Sequence, residues 1–269
     1  MIQKIFSIYN NTGKACRFYT EVGEDHIACW CVDENNALRT FEFFNFPYTE
    51  DGFAEIFRQV KLNSALLGGE YESSYVIWEN EHCICIPNNF FSSSASEKYL
   101  TNVLGNTLHS TNMHYALDEA VLAYKVQNDH FKVVNENLPG AKQLHKYCAL
   151  VRSVKNTAEA NNNFIKTIFY QNHFVLMAVE NEQLKLIRRF NYKTSDDVIY
   201  HVLNTTAQLN MNIEETDVIV SGLIDLQSVL YRELFKYIHH LKVDNIANAS
   251  LNATEYPAHY LIPFYKYAV

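Results

Sequence analysis

The chain has 269 residues, of which 48% are hydrophobic and 19% charged, and its formal net charge is -8. This composition buries enough apolar surface to offset the entropy of ordering the chain, which excludes an intrinsically disordered protein. The length predicts two domains with cores of their own. The acidic balance, with Lys and Arg never gathered into a run, argues against nucleic acid or an anionic membrane surface as a partner.

The sequence predicts neither a signal peptide nor a membrane span. The first residues lack a long apolar core, and no window approaches 18 apolar residues. We therefore expect a cytoplasmic location. In that reducing compartment, cysteines within apolar, strand-like runs are predicted to be buried thiols and not disulfides. They are Cys29, Cys31, Cys83 and Cys85.

The first half of the chain begins with a β-rich segment, residues 1–45, in which short apolar runs alternate with Asn, Gly and acidic breaks. From Asp51 the apolar residues recur at helical spacing as far as Leu67, and Gly68-Gly69 is predicted to end this helix as a left-handed cap. Two strands, a helix, a polar loop and a further strand are predicted to follow. Their sequences are SSYVIWEN, HCICIP, SASEKYLTNVLG and EAVLAYKV.

The second half begins with a predicted helix around residues 141–154 and an Asn-rich segment, after which the β-pattern restarts. Three strands joined by tight polar turns lead to a helix with Ser195 as its N-cap, then to a strand. One more amphipathic helix is predicted, with Asp225 as its cap. The four strand sequences are FIKTIFYQ, HFVLMAVE, LKLIRRFNY and DVIVSG.

The two halves repeat. FNFPYTEDGF, residues 44–53, and FNYKTSDDV, residues 190–198, both carry Phe-Asn-aromatic, a Thr and an acidic helix start. An offset of about 145 residues also superimposes the predicted helices and strands, so that each half runs β-β-β-α-β-α. We predict two lobes, residues 1–135 and 136–269, with a boundary within about 120–163.

This order is the layout of the actin-like ATPase fold, the ribonuclease-H-like duplicate, an α/β (α+β) architecture of mixed sheets flanked by helices. The sequence also resembles an uncharacterised bacterial family of about this size that is assigned to the actin-like ATPase superfamily. The resemblance rests on FNYKTSDDVIYHVLNTTAQL and TDVIVSGLIDLQSVLYRELFKYI. It implies a fold, without an assigned activity or substrate.

Active members of that superfamily place an Asp and a Gly in the first hairpin of each half, where they orient Mg²⁺ and phosphate. We take the first hairpin here to be SIYNNTGK, which offers Asn10, Asn11 and Gly13. The second, FYQNHF, offers Gln171 and Asn172. Because an amide cannot replace a carboxylate beside Mg²⁺ at full strength, the resemblance predicts a pseudo-ATPase with no catalytic residue.

The resemblance also implies a Gly-Gly-x-Ser-like turn near the adenosine. Ser221, Gly222 and Ser228 are retained at this turn, but Leu223 stands where the second Gly is expected. A side chain there obstructs the close backbone approach that glycine permits. If nucleotide binding survives, these two serines and Gly222 are the candidate residues.

Two groups of residues have side chains that could bind a metal, but for each of them the sequence favours a structural role. Cys29-x-Cys31 and Cys83-x-Cys85 each place two sulfurs on one strand face, yet structural zinc prefers C-x₂₋₄-C knuckles at turns, and burial in the core is favoured. His239-His240 could bind metal together with Asp244, but imidazoles are also favourable at a helix C-terminus.

The aromatic C-terminal segment, YPAHYLIPFYKYAV, either presents a partner surface or docks on its own core, and the second is favoured. The leading functional hypothesis is a catalytically inactive binding or scaffold module that acts through an unknown protein partner and needs no cofactor. The alternative is a degenerate ATPase or nucleotide-dependent switch that binds ATP with Mg²⁺ between the lobes.

Overall fold

The computed structural model describes residues 2–10, 16–47, 52–105, 109–156, 163–245 and 256–265. The chain divides into two compact units, Met1–Cys148 and Ala149–Val269. We call them unit 1 and unit 2 and describe each by itself.

Unit 1 contains nine strands and four α-helices within the described ranges, the last α-helix continuing into unit 2. In chain order they are β1 (Gln3–Tyr9), β2 (Cys16–Val22), β3 (His26–Asp33), β4 (Leu38–Asn45), α1 (Gly52–Asn63), β5 (Ser73–Trp78), β6 (Cys83–Pro87), α2 (Ser93–Leu104), β7 (Ser110–Ala116), β8 (Ala120–Gln127), α3 (Asn128–Asn137), β9 (Lys142–His145) and α4 (Lys146–Asn156).

Six of these strands form the main sheet of unit 1, in the order β1-β4-β3-β2-β5-β9. The pairs from β1 to β2 are antiparallel, whereas β5 and β9 add on in parallel. A second, antiparallel sheet has the order β6-β8-β7. Every residue of β3 except the last is buried, because both faces of the main sheet are covered.

Unit 2 is built on one five-stranded sheet, in the order β12-β11-β10-β13-β14. β10 to β12 are antiparallel, and β13 and β14 add on in parallel. The described elements are β10 (Phe164–Phe169), β11 (His173–Glu180), β12 (Gln183–Asn191), α5 (Ser195–Gln208), β13 (Asp217–Gly222), α6 (Val229–Tyr237), β14 (Leu241–Val243) and α7 (Ala258–Tyr265).

The two sheets share one topology once β1 is set aside. The order β4-β3-β2-β5-β9 matches β12-β11-β10-β13-β14, with the same directions at each pairing. The registers agree as well, since His26 pairs with Asn45 in unit 1 and His173 pairs with Asn191 in unit 2. The predicted fold class, mixed sheets flanked by helices, is confirmed.

Equivalent helices cover the two sheets. α1 buries Phe53, Ile56, Phe57 and Val60, and α5 buries Val198, Ile199 and Val202. These residues recur at three- and four-residue intervals, which puts them on one helix face. Each such side chain contributes roughly 1.5–3 kcal/mol on burial, so the apolar face holds each helix on its sheet.

The helix ends differ from the predictions. α1 ends at Asn63, and Gly68 and Gly69 do not adopt positive φ. A turn follows instead, in which the Ser64 hydroxyl accepts hydrogen bonds from the backbone N–H groups of Leu66 and Leu67. The chain therefore leaves the helix through a polar turn and not through a left-handed glycine.

The N-caps of the last two long helices are also displaced from the predicted residues. Thr194, not Ser195, caps α5, and it forms a capping box with Asp197. Ser228, not Asp225, caps α6. A hydroxyl or carboxyl one to three residues away offers the same chemistry, so sequence alone does not select the cap.

Three elements of unit 1 were not predicted. The polar His-containing loop is the strand β7, α3 follows β8 directly, and the predicted helix at 141–154 begins with the strand β9. β9 is only four residues long and lacks apolar alternation, and its pairing with β5 is what defines it.

Candidate functional site

The hairpins that correspond between the units are β2–β3 and β10–β11. In the first, the Gly23 N–H donates to the His26 carbonyl at 2.9 Å, and in the second the Tyr170 N–H donates to the His173 carbonyl at 2.9 Å. The choice of SIYNNTGK as the first hairpin was therefore wrong, because it joins the additional strand β1 to β2. Of its residues, Asn11 and Gly13 lie outside the described ranges.

The unit 1 hairpin carries carboxylates, contrary to the expectation from sequence. Its turn is Gly23-Glu24-Asp25, and Glu21 precedes it on β2. Glu21 is fully buried and accepts hydrogen bonds from Lys146 Nζ at 2.5 Å and from His26 Nε2 at 3.1 Å.

The charges of this cluster alternate. The other ring nitrogen of His26, Nδ1, lies 3.0 Å from Asp25 Oδ1. Burial disfavours the charged imidazole, but the hydrogen bonds to Asp25 and Glu21 outweigh it and raise the pKa of His26 to about 9. Burial likewise opposes ionisation of Glu21, yet the charge of Lys146 and the contacts of His26 lower its pKa. We call Asp25, His26, Glu21 and Lys146 the buried ionic chain.

A small cavity lies beside the buried ionic chain, where β2 and β5 end. Gly23, Glu24, Glu79, Asn80 and Lys125 are among the residues that line it, and its volume is about 40 Å³. Parallel strands meet at their carboxyl ends here, which is where α/β sheets usually bind ligands. The volume holds only a few water molecules, so this cavity does not enclose a nucleotide.

Hydrogen bonds to backbone groups hold the residues around the cavity in place. The His145 Nε2–H donates to the Asn80 carbonyl at 3.1 Å, while its Nδ1 accepts from the Tyr147 N–H at 3.2 Å. Burial lowers the pKa of His145 to about 4, which keeps the ring neutral. Lys125 Nζ donates to the Gly105 carbonyl at 3.1 Å. The polar groups around the cavity thus hold the surrounding loops in place.

The unit 2 hairpin is aromatic where the unit 1 hairpin is acidic. Ile168 takes the place of Glu21, and the turn is Tyr170-Gln171-Asn172. Tyr170 is buried and stacks on His173, with ring centroids 4.6 Å apart. No carboxylate is present in this turn.

The predicted nucleoside-binding residues lie near the end of β13. Ser221 is fully buried, and its hydroxyl donates to the Thr167 carbonyl at 3.5 Å. Gly222 has φ +84°, and a Cβ built there would lie 2.3 Å from the Phe169 carbonyl oxygen. Ser228 accepts from the Tyr231 N–H at 3.1 Å as the cap of α6. Each of the three thus has a contact within unit 2.

The cysteine pairs separate into two environments. Cys29 and Cys31 lie in the core of unit 1, and burial raises the pKa of both thiols. Cys83 is half-buried and Cys85 exposed, so burial was wrongly predicted for Cys85. The reason is that β6 is an edge strand of the small sheet. In the described ranges no three His, Cys, Asp or Glu side chains are grouped as metal ligands.

The histidines at the end of α6 are not joined to Asp244. His239 Nδ1 lies 3.0 Å from Glu214, both side chains being exposed, whereas Asp244 is buried with Lys166 Nζ at 3.5 Å. The C-terminal segment docks, since α7 packs on β13 and buries Leu261, Ile262 and Phe264. Tyr267 lies outside the described residues. Among the described helices, none has both the length and the apolar character of a membrane span.

The buried ionic chain was missed from sequence because its members are distant along the chain. Glu21 and Lys146 are separated by 125 residues. A usable signal existed, however: Glu24-Asp25-His26 and Gln171-Asn172-His173 are 147 residues apart, within two residues of the repeat offset, which identifies the equivalent hairpins.

Comparison with solved structures agrees with the topology. A protein from Bacteroides thetaiotaomicron VPI-5482 with an actin-like ATPase fold and unknown function aligns over 87% of this chain and 93% of its own, with a TM-score of 0.75 and 18% identity. The PilM-PilN type IV pilus biogenesis complex aligns over 87% and 89%, with a TM-score of 0.53 and 13% identity. The predicted actin-like ATPase fold is confirmed.

No curated protein sequence matches the chain significantly. A family model described as "Protein of unknown function (DUF3822)" matches residues 6–241, most of unit 1 and most of unit 2. The resemblance to an uncharacterised family of actin-like fold is thereby confirmed, and the chain belongs to the DUF3822 family.

Proposed function

We propose that this protein is a binding or scaffold module that has lost ATP hydrolysis and acts through a protein partner. The observation that carries the proposal is the difference between the equivalent hairpins. Active members of the superfamily that the sequence resembles place an Asp and a Gly in both, and the second hairpin here offers Tyr170-Gln171-Asn172. Without a carboxylate on that side, Mg²⁺ lacks a ligand of the charge it selects.

The packing around both hairpins supports this proposal. In unit 2, Gly222 fits against the backbone of Phe169, so the glycine serves the close approach of β13 to β10. In unit 1, a Cβ on Gly23 would lie 2.2 Å from the His26 ring, so the hairpin glycine is packed against an imidazole. Both glycines that resemble phosphate-binding glycines thus have intramolecular contacts.

The acids of unit 1 are engaged as well. Glu21 is neutralised by Lys146 and His26, and Asp25 pairs with the same imidazole. A carboxylate with two cationic partners inside the protein has little charge left for Mg²⁺. A protein of similar fold occurs in the PilM-PilN type IV pilus biogenesis complex, an assembly of proteins, which agrees with a partner-binding role.

The test is the thermal midpoint of the full chain with and without millimolar ATP and Mg²⁺, with Mg²⁺ alone as the control. A ligand at 100 times its Kd stabilises by about 2.7 kcal/mol, enough to raise the midpoint by roughly 5 °C. We expect no shift and no phosphate release. Crosslinking in the native cell, read by mass spectrometry, is expected to recover a partner protein. A shift with hydrolysis would refute the proposal.

A second candidate function is a degenerate ATPase or nucleotide-dependent switch with ATP and Mg²⁺ as its ligand. The observation that favours it is the glycine and two acids at Gly23-Glu24-Asp25, at the carboxyl end of β2. Ser221, Gly222 and Ser228 remain the candidates for the nucleoside side. A midpoint shift that requires Mg²⁺ and is abolished by Glu24→Gln would support this function, and a shift unaffected by that substitution would place the ligand elsewhere.

A further inference from the structure

The duplicated sheets differ at one edge. In unit 1, β1 pairs antiparallel with β4 and covers it. In unit 2 the equivalent strand is β12, and no described strand pairs with its outer edge. An open edge presents a row of backbone N–H and C=O groups and is a template for another strand. The pairing of β1 with β4 in unit 1 is therefore an example of how a strand can cover the equivalent edge of β12.

The covering strand in unit 1 is held by one buried charge. Glu42 of β4 is fully buried and accepts hydrogen bonds from Lys4 Nζ at 3.1 Å and from the Tyr9 hydroxyl at 2.5 Å, both of β1. The Lys4 ammonium also lies over the Phe44 ring, 5.1 Å from its centroid. The β1–β4 contact therefore matches a cation on the covering strand with an acid on the sheet.

The charge at the equivalent position of unit 2 is reversed. Counting from the His26–Asn45 and His173–Asn191 pairs, Glu42 corresponds to Arg188. Arg188 is exposed, its guanidinium lies 5.5 Å from the centroid of the Phe190 ring, and it forms no ion pair with a described carboxylate. In unit 2 the Arg188 guanidinium thus occupies the place over Phe190 that Lys4 takes over Phe44 in unit 1. The complementary charge for this edge is therefore negative.

We propose that the outer edge of β12 binds an extended acidic segment of a partner protein, which adds antiparallel to the sheet as β1 does on β4. The proposal rests on the proposed binding function and names its surface. The exposed charged side chains of β12 are Lys185 and Arg188, and the strand contains no acidic residue. Main-chain hydrogen bonds supply the affinity of such strand addition and side chains its specificity.

A second copy of this chain fits the edge less well. If two β12 strands paired antiparallel about Arg188, the exposed Arg188 side chains of the two copies would face each other. Like charges directly opposite each other destabilise an antiparallel pair. Basic residues also protect edge strands from aggregation, and that role alone requires no partner. The experiment separates these three cases.

The probes are two synthetic peptides based on β1. One has the sequence of residues 2–10, and the other has the same sequence with Lys4→Glu. Hydrogen exchange of the full chain is followed by mass spectrometry in fragments that cover Gln183–Asn191. We expect the Glu peptide to slow exchange in β12 and to bind about two- to fivefold more tightly than the Lys peptide, as is typical of one cross-strand charge pair.

Substitutions at Arg188 test the charge complementarity. Arg188→Glu imitates Glu42 and is expected to reverse the preference toward the Lys peptide, and Arg188→Ala is expected to abolish it. Arg232→Glu, which makes the same charge change at an exposed position on α6, is the matched control and should keep the preference for the Glu peptide. Circular dichroism checks that each variant is folded.

Several outcomes would overturn the proposal. They are absence of protection in β12, an unchanged preference in Arg188→Glu, protection confined to β1 and β4, and a dimer in light scattering that Arg188→Glu dissociates. Failure of this surface is distinct from failure of the binding function. If the Arg188→Glu variant still crosslinks to a partner protein, the binding function stands and the β12 edge is not its surface. If the chain hydrolyses ATP in the presence of Mg²⁺, the proposed binding function itself is refuted.

Discussion

Replacing Lys146 by Met tests whether the buried ionic chain stabilises unit 1. The Glu21–Lys146 pair is 2.5 Å long, and the two side chains are 0% and 1% exposed. Removing one partner of a buried pair usually costs about 3–5 kcal/mol, because the other charge stays buried. His26 remains beside Glu21 and is protonated at pH 7, since its pKa is about 9. We therefore expect the lower end, about 3 kcal/mol.

The assay uses the position of the tryptophans. The chain has two, Trp30 and Trp78, and both are buried in unit 1, so urea unfolding followed by their fluorescence reports on this unit. With a slope near 2 kcal/mol per molar urea, a loss of about 3 kcal/mol lowers the midpoint by about 1.5 M. Lys236→Met, which removes an exposed pair with Glu233, is the control and should leave the midpoint unchanged.

The pH dependence sharpens this test. Above pH 9 His26 loses its proton, so that Glu21 in Lys146→Met has neither cation, and the penalty should rise toward about 5 kcal/mol. Adding Glu21→Gln removes the unpaired charge and should recover at least half of the lost stability. A midpoint shift of less than about 0.3 M at pH 7, or a penalty that is the same at pH 7 and pH 10, would refute the reasoning.

Three further predictions concern other parts of the fold. The folded-state pKa of His26 is raised from 6.5 to about 9, so its stabilisation is complete below pH 6.5 and falls by about 3 kcal/mol as pH rises through 9. In the tryptophan-monitored unfolding, His26→Gln should weaken the dependence of stability on pH, whereas His173→Gln should leave that dependence unchanged. Gly222→Ala should destabilise unit 2 by at least about 2 kcal/mol in thermal circular dichroism, because its φ is +84° and its Cβ position is filled, whereas Gly68→Ala has open space and should have no effect. Thr194→Ala should cost about 1 kcal/mol in the same assay through loss of the α5 capping box, and an unchanged midpoint would assign the cap elsewhere.

The duplicated core could be predicted from sequence because its pattern is local. Phe44-Asn45 and Phe190-Asn191 end equivalent strands, and the same helical spacing follows both. The periodicity of apolar residues in strands and in helices depends only on neighbouring residues. It therefore reveals the order of the elements and the distances between them along the sequence. β9 could not be predicted in the same way, because four residues acquire strand geometry only through pairing with β5.

Prediction of the candidate site depended on identifying which strands belong to the repeat. β1 has the same alternation as the strands beside it, so a count from the N-terminus assigned the wrong hairpin and found no acid in it. The ion pair between Glu21 and Lys146 joins residues 125 positions apart, and no local pattern records such a contact. Applying the repeat offset to the hairpins would have aligned His26 with His173 and corrected the assignment.

A comparison of the two units distinguishes residues that both copies use to form the fold from residues that differ between the copies. Both keep the sheet order, the covering helix and a buried His that pairs with Asn, which are the features that form the core. They differ at Glu21 against Ile168 in the hairpin and at Glu42 against Arg188 on the edge. The first difference places an apolar side chain in unit 2 where unit 1 has a buried acid paired with Lys146 and His26. The second gives the unit 2 edge, which no described strand covers, an exposed Arg188 where the unit 1 edge has a buried Glu42 beneath β1. The apolar hairpin position and the edge that no described strand covers thus lie in the same copy, the one to which we assign the partner surface.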